Sequence, residues 1–396
     1  MRDRPKPSLE ELDERLAALA SGAGRQAAIE EIGRSVEGRA IRLVTITDPD
    51  AVEDDKQIAL IVSGHHGAEN AGPLAALRLI EWLVGPEAEE TRARQRVCIV
   101  PCVNVDGYAA DTYFNANDVN LDQDYHPERG LTQPESRVVW QVAQRLMPDL
   151  AVDVHSYGGG YTCEATITHP PGEHHVDEHR HALVCQALNE AAEAAGYPQW
   201  PPYSLRSDDG PVRLPSAAFD RFHSMCVYIE VQDTTFAPED AADSGFVRLR
   251  RLLQFGNEVW PGEFYAGYPM DVMGEAGAFN LVAHGETAAK RRRSRAALWS
   301  HRGKYQATDL WPQEAGCYRA TVANTEGYRH LHEGLAVRVR IGRPFSVESV
   351  MLDSTVLAED PAAGYITWTD KVSVYVQAAV PHPFGCSLVT VTGGAK

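Results

Sequence analysis

His66 and Glu69 stand three residues apart in the segment SGHHGAEN. An imidazole and a carboxylate at that spacing on a turn can converge on a zinc ion at ~2.0 to 2.2 Å. The segment follows an apolar run and precedes a helical one, which is where α/β sheets gather their sites. By itself such a pair is equally a surface pair at a helix start. A third ligand is available in VDVHSYGGG, where His155 ends a buried-type strand and the glycines after it let a substrate approach the backbone. The other reading of His155 is a hydrogen-bonded core histidine. Three protein ligands leave a fourth position for water or substrate, the mark of a catalytic zinc. Glu230 lies in MCVYIEVQD, and a carboxylate on a buried strand is costly unless paired or functional. Beside an activated water it serves as general base and then hands the proton to a leaving nitrogen; otherwise it is a salt-bridge partner.

The elements that must position these residues follow from periodicity. Ser8 caps a helix with Leu9, Leu12, Leu16 and Leu19 at helical spacing, and a second short helix is expected through AAIEEIG. AIRLVTI, QIALIVSG, VCIVPCVNV, DLAVDVHSY and SMCVYIEVQD read as strands. They alternate with helices through PLAALRLIEWLV, SRVVWQVAQRLM, HALVCQALNEAAEAAG and FVRLRRLLQFGNEVW. That order predicts an α/β domain with a mixed or parallel sheet. From Lys304 onward, short β-branched runs between turn residues predict a small all-β, sandwich-like accessory domain over 304–396, leaving 1–300 as the catalytic domain.

With 396 residues and a formal charge of -18, the chain is long enough for two domains and wrongly charged for a nucleic-acid partner. No stretch approaches a membrane span and the start lacks a signal-peptide pattern, so no membrane partner and a cytoplasmic location are expected. Seven scattered cysteines are read as reduced, mostly buried thiols. The run Lys290 to Arg295 is read as a solvated helix face or linker, and His175 and His179 as exposed polar residues.

Taken in order, EEIGRSVEGRAIRLVTI, GHHGAEN, VPCVNVDGY, VNLDQDY, DVHSYG and YIEVQD resemble the successive motifs of the M14 zinc carboxypeptidases, over about residues 25 to 260. The resemblance implies a mixed eight-stranded sheet flanked by helices and one Zn2+ per chain. It also implies hydrolysis of a C-terminal peptide bond by water on that ion. His66, Glu69 and His155 are then the ligands and Glu230 the base. The substrate side falls to Asn104, Asp122, Gln123, Tyr157, Tyr203 and Arg206.

The pattern is also altered. Where the family carries Asn-Arg to grip the terminal carboxylate, this chain has Asp122 and Gln123. The family's carbonyl-polarising arginine is also missing, since no arginine lies between Asn104 and Glu128. Arg206 or Arg213 is a replacement cation or a solvated loop residue. Asp111, Asp118, Asp122 and Asp124 favour a cationic group on the substrate; as a calcium loop they lack the turn glycine and closing glutamate. The expected substrate is thus a peptide or a small amide, the latter making the chain an amidohydrolase. A non-catalytic peptide binder is the reading from another class. The β-domain is a cover for the catalytic domain or the surface of a homo-oligomer.

Overall fold

The structure is a computed structural model. It describes residues 6–126, 130–157, 165–167, 175–197, 212–232, 238–258, 272–274, 277–283, 287–300, 305–314, 316–324, 335–369, 373–380 and 385–395. The chain divides into two compact units, one made of Met1–Pro171, Arg180–Asp220 and Ser224–Phe264, the other chiefly of Tyr265–Lys396.

The first unit is built on a sheet of β1 (Ala27–Arg34), β2 (Ala40–Ile46), β3 (Gln57–Ser63), β4 (Gln95–Val100), β5 (Leu150–Tyr157), β6 (Ala165–Ile167) and β7 (Met225–Gln232). Their spatial order is β1-β2-β4-β3-β5-β7-β6, seven strands among the described residues. The middle is parallel, with β4, β3, β5 and β7 aligned, and antiparallel strands flank it. Every residue of β3 is buried, as a central parallel strand covered on both faces requires. The helices around the sheet include α1 (Leu9–Ala23), α2 (Ala71–Val84), α3 (Glu89–Arg94), α4 (Val105–Ala110), α5 (Pro134–Leu146), α6 (His175–Ala194), α7 (Leu214–Phe222) and α8 (Pro238–Asn257). Ser8 caps α1 through a capping box with Glu11, satisfying donors at both ends of the motif.

One expected helix is a strand. AAIEEIG forms β1, paired antiparallel with β2 and bulged between Glu31 and Gly33. The bulge breaks strict alternation and leaves Ile29 and Ile32 three apart, which imitates helical spacing. Gly33 passes so close to α5 that a Cβ there would stand 2.3 Å from Val138 Cγ1, so tertiary packing overrides the local pattern.

The connection β3 to β4 runs to one side of β3, and β4 to β5 returns to the other. The carboxyl end of β3 is therefore the point where the strand order reverses, and crevices form at such points.

The second unit contains α9 (Ala288–Ser300) and two five-stranded sheets. Its strands are β8 (Val272–Gly274), β9 (Gly277–Ala283), β10 (Tyr305–Glu314), β11 (Cys317–Asn324), β12 (Leu335–Gly342), β13 (Ser346–Leu352), β14 (Thr355–Val356), β15 (Tyr365–Thr369), β16 (Ser373–Ala379) and β17 (Gly385–Gly394). One sheet runs β10-β11-β17-β13-β14 and the other β15-β16-β12-β9-β8. Val337, Val339, Ile341, Val376 and Ala378 of one meet Ala320, Val350, Val389 and Val391 of the other in one buried cluster. That is the alternating inward face of a sandwich. The run at Lys290 to Arg295 lies on α9, but Arg291, Arg292 and Arg295 are buried rather than solvated. Their aliphatic stems pack, as long cationic side chains can.

Candidate metal and catalytic site

His66 and Glu69 lie on the turn between β3 and α2, and His155 near the end of β5. All three are buried, and their potential ligand atoms lie within 4.8 Å of one another. His66 Nδ1 is 2.7 Å from Glu69 Oε1, and His155 Nδ1 is 3.0 Å from Glu69 Oε2 and 3.1 Å from His66 Nδ1. Ligands at ~2.0 to 2.2 Å around one tetrahedral ion stand ~3.3 to 3.6 Å apart, so an outward shift of about half an ångström separates this arrangement from a zinc shell.

The hydrogen bonds at the far side of each ring decide its tautomer. Asn120 Oδ1 accepts from the backbone N–H of Asp122 at 3.1 Å, which identifies it as the oxygen; His66 Nε2 lies 3.0 Å from it and must therefore donate. The proton of neutral His66 then sits on Nε2, and the Nδ1 lone pair faces Glu69 and His155. His155 Nε2 faces two carboxylates, Asp153 Oδ1 at 3.2 Å and Asp122 Oδ1 at 3.8 Å, which favour a proton there too. With both rings neutral, as a bound cation would require, the two Nδ1 lone pairs and the Glu69 carboxylate would be directed at one point, a donor set that fits zinc.

Buried atoms without hydrogen-bond partners occur on these residues and their neighbours: His155 Nε2, Asp122 Oδ1, Asp153 Oδ2 and Glu230 Oε2. Asp153 approaches His155 without the alignment of a hydrogen bond, while its firm bond is to His65 Nδ1 at 2.8 Å. His65 Nε2 in turn meets the Tyr125 hydroxyl at 2.9 Å, and all three residues are buried. His65, Asp153 and His155 also form a second group of potential ligands, but Tyr125 already engages the outer nitrogen of His65.

The electrostatics follow from this crowding. Burial pushes the Glu69 carboxyl up, but the charges and hydrogen bonds of His155 and His66 outweigh it and hold the group at about 2. Glu230 is the reverse case: burial, reinforced by Glu69 and Asp122, raises it to about 7 against the pull of His155 and His66. Glu230 pairs in register with His155 across β5 and β7, which brings its carboxyl to the same end of the sheet. Two carboxylates with widely separated affinities for protons divide naturally into ligand and base.

Other residues fall where sequence alone does not place them. Asn104 is fully buried and caps α4, accepting from Gly107 N and donating to the carbonyls of His65 and Tyr113. It holds the backbone around the site and has no open face. Asp122 is buried, and its Oδ2 accepts from Arg213 Nε at 2.9 Å, so its charge is met inside the protein. Arg213 also lies over the ring of Tyr228, whose other neighbour is His155, stacked at 4.5 Å. Gln123 is exposed. Tyr203 and Arg206 lie outside the described residues, as do the side chains of Tyr157, His175 and His179. Asp124 binds the backbone of Thr132 and Gln133 ahead of α5, which occupies it in local structure.

Tyr113 is a residue that motif reading missed. Its ring stacks on His66 at 3.8 Å and 16°, with Phe114 edge-on against it at 5.1 Å, and both remain exposed, 43% and 41%. Burial of the hydroxyl end, with Glu69 nearby, raises its phenol to about 12, so it stays protonated at neutral pH. An aromatic pair left exposed beside a buried histidine cluster was the available signal, visible only once the loop is folded.

The family model described as zinc carboxypeptidase matches residues 12–195. Carboxypeptidase SOL1 of Arabidopsis thaliana is 23% identical over 205 residues, 46% of this chain and 40% of that protein. The chain thus spans about two fifths of the length of that relative. The crystal structure of a metallo-carboxypeptidase from Burkholderia cenocepacia superposes with a TM-score of 0.56 at 20% identity, covering 64% of this chain and 70% of that one. Carboxypeptidase A from Helicoverpa armigera gives 0.54 at 17%, covering 64% and 74%. The chain therefore matches the zinc carboxypeptidases in sequence over residues 12–195, where His66, Glu69 and His155 all lie, and in fold over 64% of its length.

Proposed function

We propose that this protein is a zinc-dependent hydrolase of an amide bond, with His66, Glu69 and His155 as metal ligands, one ion per chain, and Glu230 as general base. The convergence of two Nδ1 atoms and a carboxylate within 3.1 Å carries the reading. The bound ion would supply Lewis-acid polarisation of the carbonyl and a more acidic water. The protein does the rest. Asn120 fixes the His66 ring by accepting from Nε2, and the backbone N–H of Ser156 fixes Glu69 by donating to Oε2 at 3.0 Å. Glu230, in register with His155 across β5 and β7, is the carboxylate that would take a proton from water and give it to the leaving nitrogen.

The substrate is a peptide or a small amide. A cationic preference has less support than the acidic loop suggests: Arg213 meets Asp122, Lys6 meets Asp111 at 2.9 Å, and Asp124 is spent on backbone donors. Only Asp118 of the four stays exposed with no such partner among the described residues. A cytoplasmic location belongs to the same reading, supported by the buried free thiols of Cys98, Cys102 and Cys317.

The test is mass-spectrometric digestion of a peptide library in free-acid and C-terminal amide forms, with a chelator-treated control and Glu230→Gln. Chelator-sensitive release of single residues from the free-acid set alone identifies a carboxypeptidase; cleavage indifferent to the terminus identifies an amidohydrolase. Glu230→Gln is expected to keep its zinc and lose at least ~100-fold in turnover. Zinc-free wild-type protein purified without chelator would refute the reading.

A further inference from the structure

We propose that the Tyr113 hydroxyl donates the hydrogen bond that stabilises the oxyanion formed when water adds to the scissile carbonyl. The inference rests on the hydrolase reading above and adds a hydrogen-bond donor from the protein to that site. As the water oxygen bonds to the carbonyl carbon, the π pair moves onto oxygen and one water proton goes to Glu230. The oxygen needs a fixed donor at that moment, and such donors contribute most when they are preorganised. No arginine lies between Asn104 and Glu128, and Arg213 is turned to Asp122. Tyr113 keeps its own proton and shares it with the oxyanion until the C–N bond breaks and the nitrogen takes the proton from Glu230.

The geometry is built for a fixed position. The ring lies flat on His66, and its backbone carbonyl accepts from Gly67 N at 3.4 Å and Asn104 Nδ2 at 3.4 Å, tying the loop to the ligand turn itself. Phe114 buttresses the ring edge-on. The hydroxyl has no hydrogen-bond partner among the described residues, and the ring that carries it lies 3.8 Å from that of His66, against the histidine cluster. The alternative is a ring that only packs on His66, and the phenylalanine variant separates the two.

Tyr113→Phe and Tyr113→Ala are compared with wild type for zinc content, for kcat and KM on an amide substrate from the library, and for binding of a phosphinic dipeptide, whose tetrahedral P–O⁻ mimics the oxyanion. Tyr113→Phe is expected to retain full zinc and a KM within about two-fold, lose ~100-fold in kcat, and bind the phosphinate correspondingly less tightly. Wild-type kcat and phosphinate affinity in Tyr113→Phe, with loss only in Tyr113→Ala, would reduce the residue to a packing ring and overturn the proposal alone. Zinc loss in Tyr113→Phe would overturn it too. A wild-type protein that neither cleaves amides nor binds the phosphinate would overturn the hydrolase reading and this one with it.

Discussion

Asn120 and Asp153 govern which nitrogen of each ligand histidine is free, and neither would itself touch the ion. Asp153 stands between His65, bonded at 2.8 Å, and the Nε2 of His155 at 3.2 Å. Carboxylates behind a metal-bound imidazole fix its orientation and raise its basicity, and their loss commonly weakens binding 10- to 100-fold. Asp153→Asn is isosteric, so a zinc competition assay is expected to show a loss of ~10- to 100-fold with the fold intact by circular dichroism. Glu230 makes a stability prediction of opposite character. Its carboxyl is raised to about 7 in the folded protein against the ordinary 4.5, chiefly by burial. The folded state therefore holds a proton that the unfolded chain has released, and stability is full below 4.5 and lost as the pH rises through 7. Metal-free Glu230→Gln escapes this loss. Thermal melts are expected to place it level with wild type at pH 4 and up to about 3 kcal/mol above it at pH 8.

The turn of His66 and Glu69 and the start of α4 depend on two glycines in close quarters. A Cβ on Gly67 would stand 2.0 Å from Gly107 C and 2.3 Å from Tyr108 N, and one on Gly107 would stand 2.5 Å from Asn104 Nδ2 and 2.7 Å from Phe114 O. Backbone meets backbone there, so no rotamer change can relieve an added methyl. Gly67→Ala is expected to cost at least ~1 to 3 kcal/mol in chemical denaturation and to lower zinc occupancy, because the turn that carries His66 and Glu69 must move. A variant with wild-type melting and full zinc would show that this close approach is not required. The helices and strands of the first unit follow their hydrophobic period except at β1, where a bulge and a packed glycine hide the strand. In the second unit, β8 and β9 carry no turn-bounded repeat strong enough to be read, and their place is given by pairing with β12.

The two units invite separate tests of stability. On the proposed reading zinc binds only the folded site, so at a free concentration 100 times its dissociation constant it adds ~2.7 kcal/mol to the unit that carries His66 and His155. Calorimetry with and without chelator is expected to move that transition. Ile341, 1% exposed in the sandwich cluster, is the complementary probe: Ile341→Ala removes three carbons from that core and is expected to cost ~2 to 5 kcal/mol there, with zinc content unchanged. Among the described residues no helix is long and apolar enough to cross a membrane. What could be read from residue order alone was local or ordered along the chain: the capping box at Ser8, the apolar strands, the six motifs in sequence, and with them the positions proposed as ligands and base, His66, Glu69, His155 and Glu230. Period and spacing encode these because each depends on neighbours in the chain. The partners of Asp122, Asn104, Arg213 and Tyr113 were decided by folding. Asp122 meets Arg213 across 91 residues, Asn104 reaches His65 across 39, and Tyr113 lies on His66 from a loop with no period of its own. Charges pair and rings stack with whatever the sheet brings within a few ångströms, and that distance is set by topology rather than by spacing along the chain.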